Sequence, residues 1–118
     1  MVREKITECE EMLMVLLWES GEDLKLEEVT NRLKDRFGKV WKIQTTATIL
    51  TRLENKGYLS RYKVGRFSHY HPEVKLDEYR SMKLTEVRNL LFGGNRRRMD
   101  KFIWNMQGER HGKINSKK

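Results

Sequence analysis

The spacing of apolar residues changes at Gly57, and that change most constrains the fold. Before Gly57, apolar residues recur every three or four positions in three short stretches, which is the spacing of amphipathic helices. After it, two aromatic-rich stretches alternate around a turn at Gly65, which predicts a β-hairpin closed by Pro72. The predicted elements are helices over residues 6–19, 26–37 and about 44–56, and strands over residues 58–64 and 67–71.

Two further helices are predicted after the hairpin, separated by Gly93 and Gly94. They span residues 76 to about 91 and about 97–106, and no internal repeat is visible. Three helices followed by a hairpin is the layout of a winged helix-turn-helix domain. The expected fold class is therefore mainly α with a small β-hairpin. The expected divisions are a winged-helix DNA-binding domain over residues 1–75, C-terminal helices over residues 76–108 and a disordered polar tail over residues 109–118.

The charge of the chain is segregated along its length, within a formal net charge of +8. Residues 1–40 carry seven basic and ten acidic side chains, whereas residues 41–75 carry seven and two, and residues 76–118 carry eleven and five. The net positive charge is therefore concentrated in the middle and at the end of the chain. Such a distribution favours an anionic partner, with nucleic acid ahead of a membrane surface.

Several function classes lack the residues that they require. Cys9 is the single cysteine, so an internal disulfide and a cysteine-based metal cluster are excluded, and its apolar neighbours predict a buried thiol. The first residues lack the apolar run of a signal peptide, and no stretch approaches the roughly 20 apolar residues of a membrane span. A cytoplasmic protein with no membrane partner is expected. No catalytic constellation, metal-ligand cluster or phosphate-binding glycine loop is present, so no catalytic residue, metal or cofactor is predicted.

The third predicted helix has a polar face suited to the major groove of DNA. A helix in that groove must present donors and acceptors without repelling phosphates, and no acidic residue precedes Glu54 in this helix. Thr45 and Arg52 lie on its shoulder, and Arg61, Lys63 and Arg66 of the hairpin are expected to contact phosphates. Helical spacing places Gln44, Thr48, Thr51 and Asn55 outward and Thr46, Ile49, Leu50 and Leu53 inward.

The stretch from Trp41 to Leu59 resembles the recognition-helix region of the BlaI/MecI/CopY penicillinase-repressor family. It contains the string W-x-x-x-T-x-x-T-x-L-x-R-L-x-x-K-G, and the similarity covers roughly residues 6–94. Flanking matches include Leu16-Leu17-Trp18-Glu19, the Gly65-Arg66 turn and Tyr70-x-Pro72-x-Val74. The resemblance implies a dimeric repressor bound to a pseudo-palindromic operator in double-stranded DNA. It also implies base-edge contacts near Gln44, Thr45 and Thr48, and backbone contacts from Lys42, Arg52 and Arg66.

The resemblance further implies that the C-terminal helices form a homodimer interface. A short helix is only marginally stable alone, which favours an interface over a free apolar face. The family's usual last dimerisation helix is missing or replaced by the polar tail, which leaves the strength of the dimer open. The expected interface residues are Leu84, Val87, Leu91, Phe102, Ile103 and Met106.

The chain departs from the family pattern at several positions. Lys25 stands where members often have a helix-capping Thr or Ser, and Ala47 stands where some members have a longer polar side chain, which leaves the base preference open. The Cys-x-Cys pairs of copper-responsive members are missing, and residues 100–102 lack the Asn-Phe junction near which the β-lactam branch is cleaved. An inducer or a regulatory protein is therefore an expected partner that these residues do not identify.

Two other binding functions use the same elements. A winged-helix protein-interaction module would bind a protein through the third helix, although its outward face lacks an aromatic or aliphatic anchor. An RNA-binding protein would stack bases on hairpin aromatics, namely Tyr58, Tyr62, Phe67 and Tyr70.

His69 and His71 share a strand face but lack a third ligand, so they are expected to be ordinary hairpin side chains. The run Arg96-Arg97-Arg98 is expected to be a solvated helix start.

Overall fold

The computed structural model describes residues 4–112, which form five α-helices and one three-stranded antiparallel sheet. The expected fold class is confirmed, and the elements follow the predicted order with one addition, the strand β1. The elements are α1 (Glu8–Ser20), β1 (Leu24–Lys25), α2 (Leu26–Phe37), α3 (Ile43–Asn55), β2 (Leu59–Val64), β3 (Phe67–Pro72), α4 (Leu76–Leu91) and α5 (Arg96–Gly112).

The chain divides into two compact units, residues 1–76 and residues 77–118. The first unit contains α1, α2, α3 and the sheet, whereas the second contains α5 and nearly all of α4. The functional boundaries expected at residues 75 and 108 stay predictions. Within residues 4–112, no helix combines the length and the apolar content that crossing a bilayer requires.

The core of the first unit is built from α1, α2, α3 and the base of the hairpin. Burial of each large aliphatic side chain contributes roughly 1.5–3 kcal/mol to folding, so these residues account for most of the drive to fold. The apolar residues of α2 and α3 are buried at the predicted helical spacing. The apolar side chains that are at most 2% exposed are Leu13, Met14, Leu16, Leu17, Leu24, Val29, Leu33, Leu50, Leu53, Tyr58, Leu59 and Val74.

Cys9 corrects one expectation, because its thiol is exposed rather than part of the core. It lies in the first turn of α1, where the inward position is taken by Glu10, whose side chain is 1% exposed. Thr7 and Glu10 form the predicted capping box: the Thr7 amide donates to Glu10 Oε1 at 2.8 Å, and the Glu10 amide donates to Thr7 Oγ1 at 3.2 Å.

A buried ion pair joins the end of α3 to the start of α1. Lys56 Nζ donates to Glu10 Oε1 at 2.9 Å and to the Lys5 carbonyl at 3.0 Å. Burial alone would raise the pKa of Glu10, but the hydrogen bonds from Lys56 and from the Thr7 amide outweigh it and lower that pKa. The Tyr58 hydroxyl adds a third link, because it donates to the Glu4 carbonyl at 2.8 Å.

Tyr58 is buried in front of β2 and is not the first residue of the strand as predicted. Gly57 adopts φ 81°, a left-handed conformation that turns the chain sharply after α3. The Tyr58 amide then donates to the Leu53 carbonyl at 2.9 Å, and the Tyr58 carbonyl accepts from the Glu73 amide at 2.8 Å. Tyr58 therefore closes the core between α3 and the hairpin.

The central strand of the sheet is β3, which pairs with β2 on one side and with β1 on the other. The β2 pairing runs from Leu59 opposite Pro72 to Val64 opposite Phe67. With only two residues, β1 is too short to show a period in the sequence, so it was not predicted. The indole Nε1 of Trp18 donates to the Val74 carbonyl at 2.9 Å and so joins α1 to the segment that follows β3.

In the second unit, α4 and α5 are separated by Gly93 and Gly94, as predicted. The Asn95 side chain begins α5 by accepting from the Arg98 amide at 3.0 Å. The helix extends beyond the predicted end at Met106 to Gly112, so residues 109–112 of the expected tail are helical. Residues 113–118 of that tail lie outside the described residues.

We expect Lys56→Met to destabilise the protein by about 3 kcal/mol at neutral pH, because it leaves the buried Glu10 carboxylate without its cation. The folded-state pKa of Glu10 is lowered, so its contribution to stability is present above its ordinary value of 4.5 and is lost as the pH falls through the lowered pKa. The penalty of Lys56→Met should therefore shrink in acid, as Glu10 is protonated.

Urea unfolding at several pH values measures this penalty, with Lys39→Met in the exposed α2–α3 loop as the control. Equal penalties for the two variants would show that the buried pair does not anchor the helix.

Candidate nucleic-acid interface

The outward face of α3 is polar and free of carboxylates from Gln44 to Leu53. The side chains predicted to face outward are exposed, and those predicted to face inward are buried, including Thr46 at 0% exposure. This division follows from helical spacing, because Ile49, Leu50 and Leu53 must pack into the core. The exposed side chains of the face are Gln44, Thr45, Thr48, Thr51, Arg52 and Asn55.

The start of α3 is also favourable for anions. Lys42 is the N-cap residue, makes no side-chain capping bond, and is followed by no acidic residue in the first turn. The Lys42 carbonyl accepts from the Thr45 and Thr46 amides at 3.0 and 3.1 Å. The positive end of the helix dipole and the Lys42 ammonium group are therefore not neutralised from within the helix.

The hydrogen bond of the Thr48 hydroxyl determines which groups this side chain presents on the outward face of α3. Its Oγ1 donates to the Gln44 carbonyl at 2.9 Å, so the hydroxyl proton is directed into the helix. The outward side of this residue then offers acceptor lone pairs and a methyl group. Acceptors match the exocyclic amines of adenine and cytosine in the major groove, and the methyl group matches thymine.

The hairpin of β2, β3 and their turn, here called the wing, carries the remaining candidate residues. Gly65 adopts φ 64° in the turn, which places Arg66 at the tip. Lys63 and Arg66 are both exposed. Arg61 is partly engaged elsewhere, because its Nε lies 3.5 Å from Oε1 of Glu54, the first carboxylate of α3.

The base of the wing contains a polar cluster that the sequence reasoning missed, here called the Asp23 cluster and made of Asp23, Tyr62 and His71. The Tyr62 hydroxyl donates to Asp23 Oδ2 at 2.6 Å, and His71 Nδ1 lies 2.8 Å from Asp23 Oδ1. The hydrogen bond from Tyr62 lowers the pKa of Asp23, partial burial opposes it, and the bond and charge of His71 lower it further. The same bond to Asp23 raises the pKa of Tyr62.

Neighbouring side chains extend this arrangement along the wing. The Tyr62 and His69 rings are stacked with centroids 5.3 Å apart, and Lys25 Nζ lies 5.0 Å from the centre of the Phe67 ring. Among residues 4–112, no group of three or more potential ligands is placed to hold a metal ion.

Two of the four aromatics considered for RNA stacking, Tyr58 and Tyr70, are buried and cannot display their rings to a base.

The candidate dimer residues of the second unit are exposed, apart from Val87, which is half-buried. Leu91 is 69% exposed, and Leu84, Phe102, Ile103 and Met106 are between 42% and 54% exposed. The Phe102 ring also contacts that of Phe92, with centroids 5.7 Å apart. Their role as an interface stays a prediction.

Known proteins resemble this chain both in sequence and in structure. The family model described as penicillinase repressor matches residues 6–109. The solution structure of the DNA-binding domain of the repressor BlaI is 28% identical, with a TM-score of 0.55 over 66% of this chain and 94% of that chain. The complex structure of hsRosR-S4 is 14% identical, with a TM-score of 0.58 over 89% of this chain and 92% of that chain, and shows a likeness of fold alone. No curated protein sequence matches this chain.

These comparisons confirm the predicted winged-helix fold and the resemblance drawn from the residues around α3. They do not test the individual side chains. The contacts expected of Lys42, Gln44, Thr45, Thr48, Arg52, Lys63 and Arg66 therefore stay predictions.

We expect Glu54→Gln to tighten binding to duplex DNA about threefold, because it removes a carboxylate from the end of α3 and frees Arg61 for a phosphate. Titration of a fluorescent duplex at fixed salt measures the change. The control is Glu27→Gln on α2, which removes the same charge elsewhere on the domain. Equal gains in DNA affinity from the two variants would show that only the net charge matters. That result would contradict a local role for the Glu54–Arg61 pair.

Proposed function

The chain belongs to the penicillinase repressor family, and from this premise we propose that it is a sequence-specific transcriptional repressor that binds a pseudo-palindromic operator as a homodimer. The family match and the BlaI neighbour identify it as a DNA-binding regulator. The operator, the homodimer and the roles of single residues are the parts that we propose.

The observation that carries the proposal is the composition of the exposed face of α3. Hydroxyl, amide and guanidinium groups line it with no carboxylate before Glu54, and the uncapped start of the helix adds positive potential. A protein-binding surface would be expected to centre on aromatic or aliphatic anchors, which the face between Gln44 and Asn55 does not offer. Major-groove DNA is the partner that fits these side chains.

The side chains divide into two roles by their chemistry and position. Gln44, Thr45 and Thr48 are proposed to contact base edges, because their polar groups lie on the exposed side of α3. The cationic residues are proposed to contact phosphates and to fix the register of the domain on the duplex. They are Lys42 and Arg52 on α3, and Lys63 and Arg66 on the wing.

The exposed apolar residues of α4 and α5 support the homodimer. Apolar side chains exposed on both helices are available for burial against a partner, and two identical half-sites match the two-fold symmetry of a dimer. We propose that Leu84, Val87, Leu91, Phe102, Ile103 and Met106 meet the same residues of a second copy. An inducer or a regulatory protein that relieves repression is part of the proposal, without a site assigned to it.

Selection from a pool of randomised duplexes, with sedimentation of the selected complex at two salt concentrations, tests the function as a whole. Enrichment of a palindrome with two chains per site is the expected result, together with a steep fall in affinity as salt rises. Weak binding that ignores sequence, by a chain that sediments as a monomer, would overturn it.

We expect Thr48→Ala to weaken binding to the selected operator about tenfold while it leaves non-specific binding nearly unchanged, because a base contact is lost. Arg52→Ala should instead weaken binding to all duplexes and lower the salt slope by about 1, as loss of one phosphate contact requires. Fluorescence anisotropy with operator and scrambled duplexes separates the two patterns.

Matched controls lie on α2. Thr30→Ala removes a hydroxyl with the same bond to the preceding turn, since Thr30 Oγ1 donates to the Leu26 carbonyl at 3.0 Å. Arg32→Ala removes the same charge from an exposed position. If each control weakened binding as much as its α3 counterpart, the proposed contact face would be wrong.

We expect Leu91→Asp or Ile103→Asp to shift a dimer to monomers at micromolar concentration, because each places a charge among apolar side chains at the proposed interface. Sedimentation velocity without DNA measures the shift. Val40→Asp makes the same change at a residue that is 78% exposed in the first unit, and it should leave the dimer intact. Dimers that persist in both C-terminal variants would place the interface elsewhere.

A further inference from the structure

We propose that the Asp23 cluster positions the wing against DNA, through the contacts that Tyr62 and His71 make with the Asp23 carboxylate. The inference rests on the proposed function, because it takes the wing as a DNA contact. It adds three residues, Asp23, Tyr62 and His71, that neither the family resemblance nor the α3 face assigns. They act as positioning residues, through the cations at the tip of the wing.

The cluster connects both long strands of the wing to the body of the domain. Asp23 lies in the segment between α1 and β1, whereas Tyr62 is on β2 and His71 is on β3. Each oxygen of the Asp23 carboxylate is used once, Oδ2 by Tyr62 at 2.6 Å and Oδ1 by His71 at 2.8 Å. One carboxylate therefore fixes the two strands relative to α1.

The sheet attaches the wing to the helical body through few backbone pairs, so contacts at the base of the wing matter for its position. The strand that attaches it to the helical body, β1, is only two residues long and pairs with β3 at Tyr70 and His69. Beyond that pairing, β2 and β3 bond to each other up to Val64 and Phe67. A two-stranded hairpin is only marginally stable by itself, so its angle depends on contacts at its base.

A carboxylate at this place is otherwise unfavourable for a DNA-binding domain. Asp23 adjoins a wing whose neighbouring cations, Lys63 and Arg66, are proposed to meet phosphates, and a negative charge there repels the duplex. An isolated acid would therefore lower affinity. Its two hydrogen bonds give Asp23 a positioning role that offsets this repulsion.

The direction of the bond between His71 and Asp23 follows from the chemistry of the carboxylate. An ionised carboxylate can only accept, so His71 Nδ1 carries hydrogen in this bond. Both donors to Asp23 therefore lie on the wing, one on β2 and one on β3. Removal of the carboxylate leaves both strands without their shared acceptor.

Other charged and polar groups surround His71. Those next to it in register or in sequence are Asp23 and Glu22 before β1, Lys25 on β1, Arg61 and Tyr62 on β2, and His69, Tyr70 and Glu73 on its own side. His69 stacks on Tyr62, and its charge also lowers the pKa of Asp23. No hydrogen bond joins His69 to Asp23 among the described residues, so it serves as the control for the His71 bond.

The first experiment compares Asp23→Ala with Glu22→Ala in the full chain, by DNA titration at several salt concentrations. Both variants remove one negative charge from adjacent positions, so simple electrostatics predicts tighter binding for both. Positioning predicts the opposite for Asp23→Ala: about tenfold weaker binding and a salt slope lower by about 2, as loss of two wing phosphates requires. Tyr62→Phe, which deletes one bond without a charge change, should weaken binding in the same direction.

The second experiment measures DNA affinity at one pH for the wild type, His71→Gln, His71→Leu and His69→Leu. His71→Gln, whose side chain still donates, should bind nearly as the wild type does, whereas His71→Leu deletes a bond to Asp23 and should weaken binding severalfold. His69→Leu should have a smaller effect, because no hydrogen bond joins His69 to Asp23 among the described residues. Tighter binding by Asp23→Ala, or equal affinities of His71→Leu and the wild type, would overturn the proposal.

Nuclear magnetic resonance of the protein without DNA distinguishes failure of this inference from failure of the proposed function. The Tyr62 ring signals should shift in His71→Leu, and the same substitution made in Asp23→Ala should leave them unchanged. If the wild type bound no duplex but showed this coupling, the repressor function would fail and the cluster would stand as a structural link. If Tyr62 did not respond to His71, the inference would fail whatever the protein binds.

Discussion

The buried ion pair between Glu10 and Lys56 is the interaction on which the placement of α3 depends. It joins the first turn of α1 to the residue that ends α3, across 46 positions of sequence. With the apolar side of α3 already in the core, this pair and the Tyr58 hydroxyl bond fix the far end of the helix. The exposed face of α3 is consequently presented by a rigid element, which suits a surface that must match the fixed geometry of a groove.

The two candidate DNA-contacting elements are held in different ways. The helix is fixed by burial of Leu50, Leu53 and the ion pair, so its direction follows from the core. The wing projects from a sheet with a two-residue edge strand and depends on polar contacts at its base. The proposed base contacts of α3 therefore depend on the packing of the core, whereas the proposed phosphate contacts of the wing depend on polar bonds at its base. A substitution that breaks those polar bonds need not move α3.

The sequence predicted the parts of this structure that depend on local periodicity. The apolar spacing of α2 and α3, the glycine that follows α3 and the alternation in the hairpin each encode their own element. It did not predict the inward Glu10, the exposed Cys9 or the Asp23 cluster. The distant partners of Glu10 and Asp23 lie 39 to 48 residues away, and an acidic residue carries no local sign that a distant cation or donor will meet it.

The three tryptophans are divided between the two units, so each unit has its own tryptophan fluorescence. Trp18 and Trp41 are half-buried in the first unit, whereas Trp104 on α5 is 73% exposed. An indole in water emits at longer wavelength and is open to dissolved quenchers such as iodide, and a covered one is not. Trp104 is therefore a built-in fluorophore for anything that covers α5, readable in the unlabelled protein once Trp18 and Trp41 are replaced by phenylalanine.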